Sequence, residues 1–165
     1  MSTRPNLLST TALILRTLIG LNFLLGGGIA ALFAISFIAP DWLQAALGFQ
    51  AETSMTGLRL IMLIGLAGVP LAYLVLARLL AIVATVQSGD PFVPENARRL
   101  LVVAQAQLGI QLLQTPAGAV CTLFSIKLDV PIFSVNGWLP VLLTFVLARV
   151  FDAGTRMRAD LEGTV

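Results

Sequence analysis

Four long apolar stretches separated by short polar segments make up most of this chain. A bilayer core about 30 Å thick is crossed by roughly 20 apolar residues in an α-helix. Each stretch reaches that length, and Pro40, Pro91 and Pro131 stand near the joints between them. The pattern therefore predicts an all-α, polytopic membrane fold in one domain, residues 1–165, with short cytoplasmic helical extensions. The four predicted helices, extensions included, are residues 13–39, 58–87, 97–126 and 132–158.

The joint after the first stretch predicts a short helix at the membrane surface. It runs from Pro40 to Gly48, and Gly48 is suited to end it. Trp42 and Leu43 are expected on the side that faces the headgroups.

Composition supports a protein whose surface largely faces lipid. Of the 165 residues, 58% are hydrophobic and 11% are charged, whereas a soluble domain has about 25% charged residues. The chain has no His, and Cys121 is its only cysteine, so an intramolecular disulfide and a Cys-based metal cluster are excluded. Asp90, Glu95 and Asp152 form no recognisable catalytic pattern. We therefore expect no enzymatic activity and no cofactor.

The basic residues predict the orientation of the four helices. With four crossings, both termini and the middle loop share one side, and that side carries eight of the ten Lys and Arg residues. These eight are Arg4, Arg16, Arg78, Arg98, Arg99, Arg149, Arg156 and Arg158, against Arg59 and Lys127 on the other side. Positive loops remain in the cytoplasm, which predicts cytoplasmic termini in the cell (inner) membrane. The scattered basic residues form no stripe, so direct nucleic-acid binding is not expected.

A polar stripe is predicted inside the membrane. Gln107, Gln111 and Gln114 fall at i, i+4 and i+7, so they share one face of the third helix. Asn22 of the first helix is a candidate partner for them. Two interpretations stay open: polar side chains that hold a four-helix bundle together, or the lining of a polar pathway.

The middle loop and the C-terminal tail are the candidate partner surface on the cytoplasmic side. Gly89 is suited to end the second helix, and Pro94 and Glu95 to begin the third. Ion pairs at i, i+4 are expected in the tail, where Asp152, Asp160 and Glu162 alternate with arginines. A solvated helix end and a docking surface are both compatible with this pattern. The candidate surface residues are Asp90, Pro91, Phe92, Glu95, Asn96, Arg98, Arg99, Asp152, Arg156 and Arg158.

These two segments also carry a family resemblance. Residues 88–100, which include Ser-Gly-Asp-Pro-Phe and Arg-Arg-Leu, and residues 150–165, which begin Val-Phe-Asp-Ala-Gly, resemble the bacterial membrane family called domain of unknown function 2975. The resemblance implies a four-span membrane protein without assigned activity. It also implies an association with small helix-turn-helix transcription regulators in the cytosol.

Taken together, the residues and the resemblance predict a non-enzymatic membrane protein that acts as a regulatory or scaffold partner of a cytosolic DNA-binding protein. The alternative is a small transporter or channel subunit that uses the glutamine stripe and assembles as a homo-oligomer, because four helices alone make a thin pathway.

Overall fold

The structure, a computed structural model, describes residues 7–48, 54–126, 128 and 130–162, and their side chains up to Arg158. Within these ranges the secondary structure is helical, as predicted. The helices are α1 (Leu7–Ile38), α2 (Pro40–Ala46), α3 (Met55–Gln87), α4 (Pro94–Leu123) and α5 (Val135–Glu162). Three of them, α1, α3 and α5, are long and apolar enough to cross a membrane.

The helix bounds follow from local backbone chemistry. The Ser54 side chain accepts a hydrogen bond from the backbone N–H of Gly57 and so caps α3. Gly89 has a φ of +91° and follows the end of α3, a conformation that favours glycine. Pro94 begins α4, because its missing N–H and fixed φ suit the first helical turn. The predicted starts at 58 and 97 were three residues late and that at 132 three residues early.

The four long helices form an antiparallel row. The principal contacts join α1 to α3, α3 to α4 and α4 to α5, so α1 and α5 lie at the two ends of the row. In consequence α4 packs between two neighbours and contributes many of the buried residues, whereas α1 contributes few. The exposed sides of α1 and α5 are strongly apolar, as expected of surfaces that meet lipid.

One glycine brings α1 close to α3. A Cβ atom at Gly26 would lie 3.0 Å from Cγ1 of Val69, so the Val69 side chain would have to shift by a few tenths of an ångström to admit a larger residue. Ala30 and Ala34 follow Gly26 at intervals of four residues on α1, but both are exposed.

Helix α2 lies at the end of the row opposite the termini of the described chain. Leu43 is 0% exposed and packs in a cluster with Leu58 and Met62, whereas Trp42 is 60% exposed. The expectation that Trp42 and Leu43 lie on one side is wrong, because consecutive residues point about 100° apart on an α-helix. Leu43 anchors α2 to the protein, and Trp42 is left to face the surroundings.

The row gathers most of the described charges at one end, formed by the start of α1, the α3–α4 loop and the end of α5. At the other end, Arg59 donates from Nη2 to the carbonyl oxygen of Ser36 at 2.6 Å. Its guanidinium also lies 4.1 Å from the centre of the Phe37 ring, a cation–π contact. Arg4 and Lys127, also used to predict orientation, lie outside the described residues.

Candidate functional site at the charged end of the helices

A buried asparagine organises the end of the row where α3 turns into α4. Asn96 is 0% exposed. Its Nδ2 donates to Oγ1 of Thr85 at 2.8 Å and to the carbonyl oxygen of Pro91 at 2.9 Å. Its Oδ1 accepts from Nη1 of Arg99 at 2.8 Å. We call these four residues the Asn96 network; it ties the last turn of α3, the loop and the first turns of α4 together.

Arg99 extends the Asn96 network to a further backbone group. Its Nη1 also donates to the carbonyl oxygen of Ala81, at 3.3 Å. Ala81 lies six residues before the end of α3 at Gln87, where a backbone carbonyl normally pairs within the helix. The Arg99 guanidinium therefore adds a second donor to this carbonyl. A hydrogen bond from a charged donor is stronger than one between neutral groups. The Asn96 network is therefore a rigid support for the loop rather than a free polar surface.

The loop is joined to the tail by two contacts. Nη1 of Arg158 lies 2.7 Å from Oδ1 of Asp90, although 68 residues separate them. The rings of Phe92 and Phe151 are stacked with centroids 5.5 Å apart and planes at 27°. We call Asp90, Phe92, Phe151 and Arg158 the loop–tail clamp. The clamp places the middle loop and the C-terminal tail, the two segments of the predicted partner surface, side by side.

The tail also carries one of its predicted helical ion pairs. Nη2 of Arg156 lies 2.6 Å from Oδ2 of Asp152. Both side chains are exposed, so this pair contributes at most about 1 kcal/mol to stability. The predicted pairs with Asp160 and Glu162 involve side chains outside the described residues. Within the described part, Arg158 reaches across to Asp90.

The remaining residues of the predicted surface fall into two groups, those that are exposed and those that belong to the Asn96 network. Glu95 and Arg98 are exposed on the first turns of α4. Arg99 and Asn96 point into the Asn96 network, and Pro91 contributes its carbonyl oxygen. The surface that a partner could contact is therefore formed by fewer than the ten predicted residues.

The ten candidate surface residues predicted from the sequence do not include Thr85 or Phe151, although Phe151 belongs to the tail motif Val-Phe-Asp-Ala-Gly. Both lie in apolar stretches, where a threonine or a phenylalanine does not by itself indicate a functional role. Of the two, only Thr85 could have been found from the sequence, because its hydroxyl group stands four positions before the predicted helix end at Gly89. Phe151 could be assigned only after α5 was known to run back beside the loop.

The glutamine stripe lies where α4 meets α5. Gln111 is buried and donates from Nε2 to Oε1 of Gln114 at 2.8 Å. It packs on Gly137 of α5, where a Cβ atom would lie 2.8 Å from Cδ of Gln111. Oε1 of Gln107 is buried and has no hydrogen-bond partner among the residues that the structure describes. Asn22, predicted to join this stripe, instead donates to the carbonyl oxygen of Val69 on α3 at 3.2 Å, because α1 and α4 are on opposite sides of α3.

These arrangements are suited to binding and packing. At the charged end, Asp90 and Asp152 are each paired with an arginine. No group of three or more potential metal ligands lies together within residues 7–48, 54–126 and 130–158.

Comparison of the chain with family models, with curated proteins and with solved structures gives no match. The class of the protein therefore rests on its own structure, which is that of a helical protein with three helices able to cross a membrane. No matching family model supports the expected resemblance to domain of unknown function 2975.

Proposed function

We propose that this protein is a non-enzymatic membrane protein of the cell (inner) membrane whose cytoplasmic face holds or regulates a cytosolic protein. The loop–tail clamp is the observation that carries the proposal. It gives the charged end of the row a defined shape, with Phe92, Arg156 and Met157 exposed beside it. Exposed apolar groups among charges are typical of surfaces that bind proteins.

The proposal includes four membrane-crossing helices rather than three, with α4 as the additional one. Helix α4 has 30 residues and is about 45 Å long at 1.5 Å per residue. Four glutamines lower its hydropathy, but it packs along both α3 and α5. A helix enclosed between two crossing helices can carry polar side chains, because they meet protein rather than lipid. With four crossings, the positive-inside rule supports a cytoplasmic position for the arginines of the charged end.

Cysteine labelling tests the crossing of α4. In a Cys121→Ala background, we expect Asn136→Cys at the start of α5 to react with a membrane-impermeant maleimide on intact spheroplasts. Ser88→Cys, after the end of α3, should react only after lysis, because α4 separates the two positions. Both parent residues are exposed, so the access of the maleimide to the two cysteines differs only by the side of the membrane on which each lies. Equal labelling of the two cysteines before lysis would contradict four crossings.

The resemblance of the loop and tail suggests the kind of partner, a small helix-turn-helix DNA-binding regulator. In this proposal the membrane protein does not bind nucleic acid itself. It holds or releases the regulator through the loop and tail, and the bilayer is its other partner.

Site-specific photo-crosslinking in cells tests the docking surface. A photoreactive amino acid at Met157 should form a discrete adduct with a cytosolic protein. The same amino acid at Trp42 is the matched control, because the two side chains are 62% and 60% exposed at opposite ends of the row. The same adduct from both positions, or none from Met157, would contradict the proposal.

A charge swap then tests whether the loop–tail clamp shapes that surface. Asp90→Arg opposes Arg158 with a like charge, and we expect it to reduce the Met157 adduct several-fold. Combining it with Arg158→Asp restores an opposite pair and should restore the adduct. No recovery in the double variant would mean that Asp90 acts by itself rather than through the clamp.

A second candidate function is a small oligomeric transporter or channel subunit. The buried, unpartnered Oε1 of Gln107 favours it, since an unpaired buried acceptor is costly and often marks a place for a ligand or water. The hydrogen bond between Gln111 and Gln114 and the tight packing of Gln111 on Gly137 favour the packing interpretation. We therefore place this function second.

A further inference from the structure

A groove between α4 and α5 opens at the charged end of the row. Its volume is about 670 Å³, within the range of small-molecule sites. Arg98 of α4 and Arg149 of α5 stand at its border. The rest of the lining is almost wholly apolar and includes Ala97, Leu101, Phe145, Val146, Ala148 and Val150.

Along both helices, large apolar side chains line the groove on the side of the arginines that faces the middle of the row. Leu101 lies one turn from Arg98 along α4, in the direction of the membrane centre. Phe145 and Val146 lie one turn from Arg149 along the antiparallel α5, in the same direction. In the proposed four-crossing orientation, on which this inference rests, the groove therefore has positive charge at the level of the headgroups and an apolar floor at the level of the acyl chains.

The two arginines are available to a ligand. Both are exposed, and no hydrogen bond or ion pair joins either of them to another side chain in the part of the chain that the structure describes. Asp152 also lines the groove, but its carboxylate is paired with Arg156 at 2.6 Å. Arg98 further borders a neighbouring hollow of about 330 Å³ with Arg78, Arg99 and Glu95, which adds to the positive potential.

We propose that this groove is a binding site for an anionic glycerophospholipid. Its phosphate lies between Arg98 and Arg149, and one acyl chain lies along Leu101, Phe145 and Val146. Guanidinium groups bind phosphate through paired hydrogen bonds, and basic pockets between transmembrane helices are suited to lipid headgroups. The apolar floor distinguishes this ligand from a free phosphate, which would leave it empty. The site lies beside the loop–tail clamp but uses different side chains.

Native mass spectrometry of the purified full-length chain in detergent tests the site. We expect dioleoyl phosphatidylglycerol to be retained more strongly than dioleoyl phosphatidylcholine. Arg98→Gln and Arg149→Gln should each weaken phosphatidylglycerol binding about fivefold, the effect of one basic residue near an anionic headgroup. Arg16→Gln, an exposed arginine of α1 at the same end that does not line the groove, should leave binding unchanged.

Two further arms separate a lipid from other sources of phosphate. Inorganic phosphate in large excess should not displace the lipid, and Leu101→Trp, which fills the apolar floor without changing charge, should weaken its binding. Displacement by phosphate, unchanged binding to Leu101→Trp, equal retention of phosphatidylcholine, or an equal loss in Arg16→Gln would each overturn the proposal. Size-exclusion chromatography of every variant shows that the chain is folded before binding is measured.

Discussion

Replacing Asn96 with alanine is expected to lower the free energy of unfolding by about 3 kcal/mol. The substitution removes the side-chain hydrogen bonds of Asn96 and leaves Thr85, the Pro91 carbonyl and the Arg99 guanidinium without this partner. A buried polar group left unpaired costs about 1–3 kcal/mol. The loss is measured by unfolding in mixed micelles of increasing SDS content, with a thiol-reactive fluorophore reporting the exposure of Cys121, the single, buried cysteine.

Gln105→Ala is the matched control for this change. It removes a neutral amide from the same helix, but Gln105 is exposed, so its unfolding midpoint should move by much less. If Asn96→Ala and Gln105→Ala unfolded at the same SDS content, Asn96 would not hold the loop in place.

The second large effect is expected from Gly118→Leu. A Cβ atom at position 118 would lie 2.8 Å from Cα and 2.9 Å from the backbone nitrogen of Ile132. Backbone atoms cannot move aside as a flexible side chain can, so the segment before α5 has to shift. Overpacking of this kind costs about 1–3 kcal/mol, and we expect the upper part of that range. Cys121, one turn further along α4, should become more reactive even without denaturant.

Gly28→Leu is the control, because a Cβ atom at Gly28 has nothing within 4 Å. This variant should unfold like the parent protein, and its Cys121 should react at the parent rate. Equal destabilisation by the two substitutions would indicate a general effect of leucine for glycine and not the contact between α4 and Ile132.

The local features of the fold could be predicted from sequence because they depend on a few neighbouring residues. Gly89 and Pro94 were assigned as the residues suited to end α3 and to begin α4, and the structure confirms these two local assignments, although the predicted range of α4 began three residues later, at 97. The ion pair between Asp152 and Arg156 followed from their spacing of four residues. Such features are determined by backbone conformation and helical geometry, which the sequence contains directly.

The long-range contacts of the site could not be predicted in the same way. Asp90 meets Arg158 only because α4 and α5 return the tail to the loop. Asn22 could not be assigned to Val69 or to the glutamines without the order of the helices. The spacing of Gln107, Gln111 and Gln114 predicted a shared face, but which neighbour packs on that face depends on the arrangement of the row. Periodicity gives the direction of a side chain and not its partner.

The row arrangement has a consequence for how the protein assembles. Every large interface joins long helices that are consecutive along the chain. Each helix therefore meets its main neighbour as soon as that neighbour has been synthesised, and no interface waits for the first helix to find the last. Chains dominated by contacts between nearby segments fold quickly. Assembly can proceed one helix at a time as the chain leaves the ribosome, and the end of α5 completes the loop–tail clamp last.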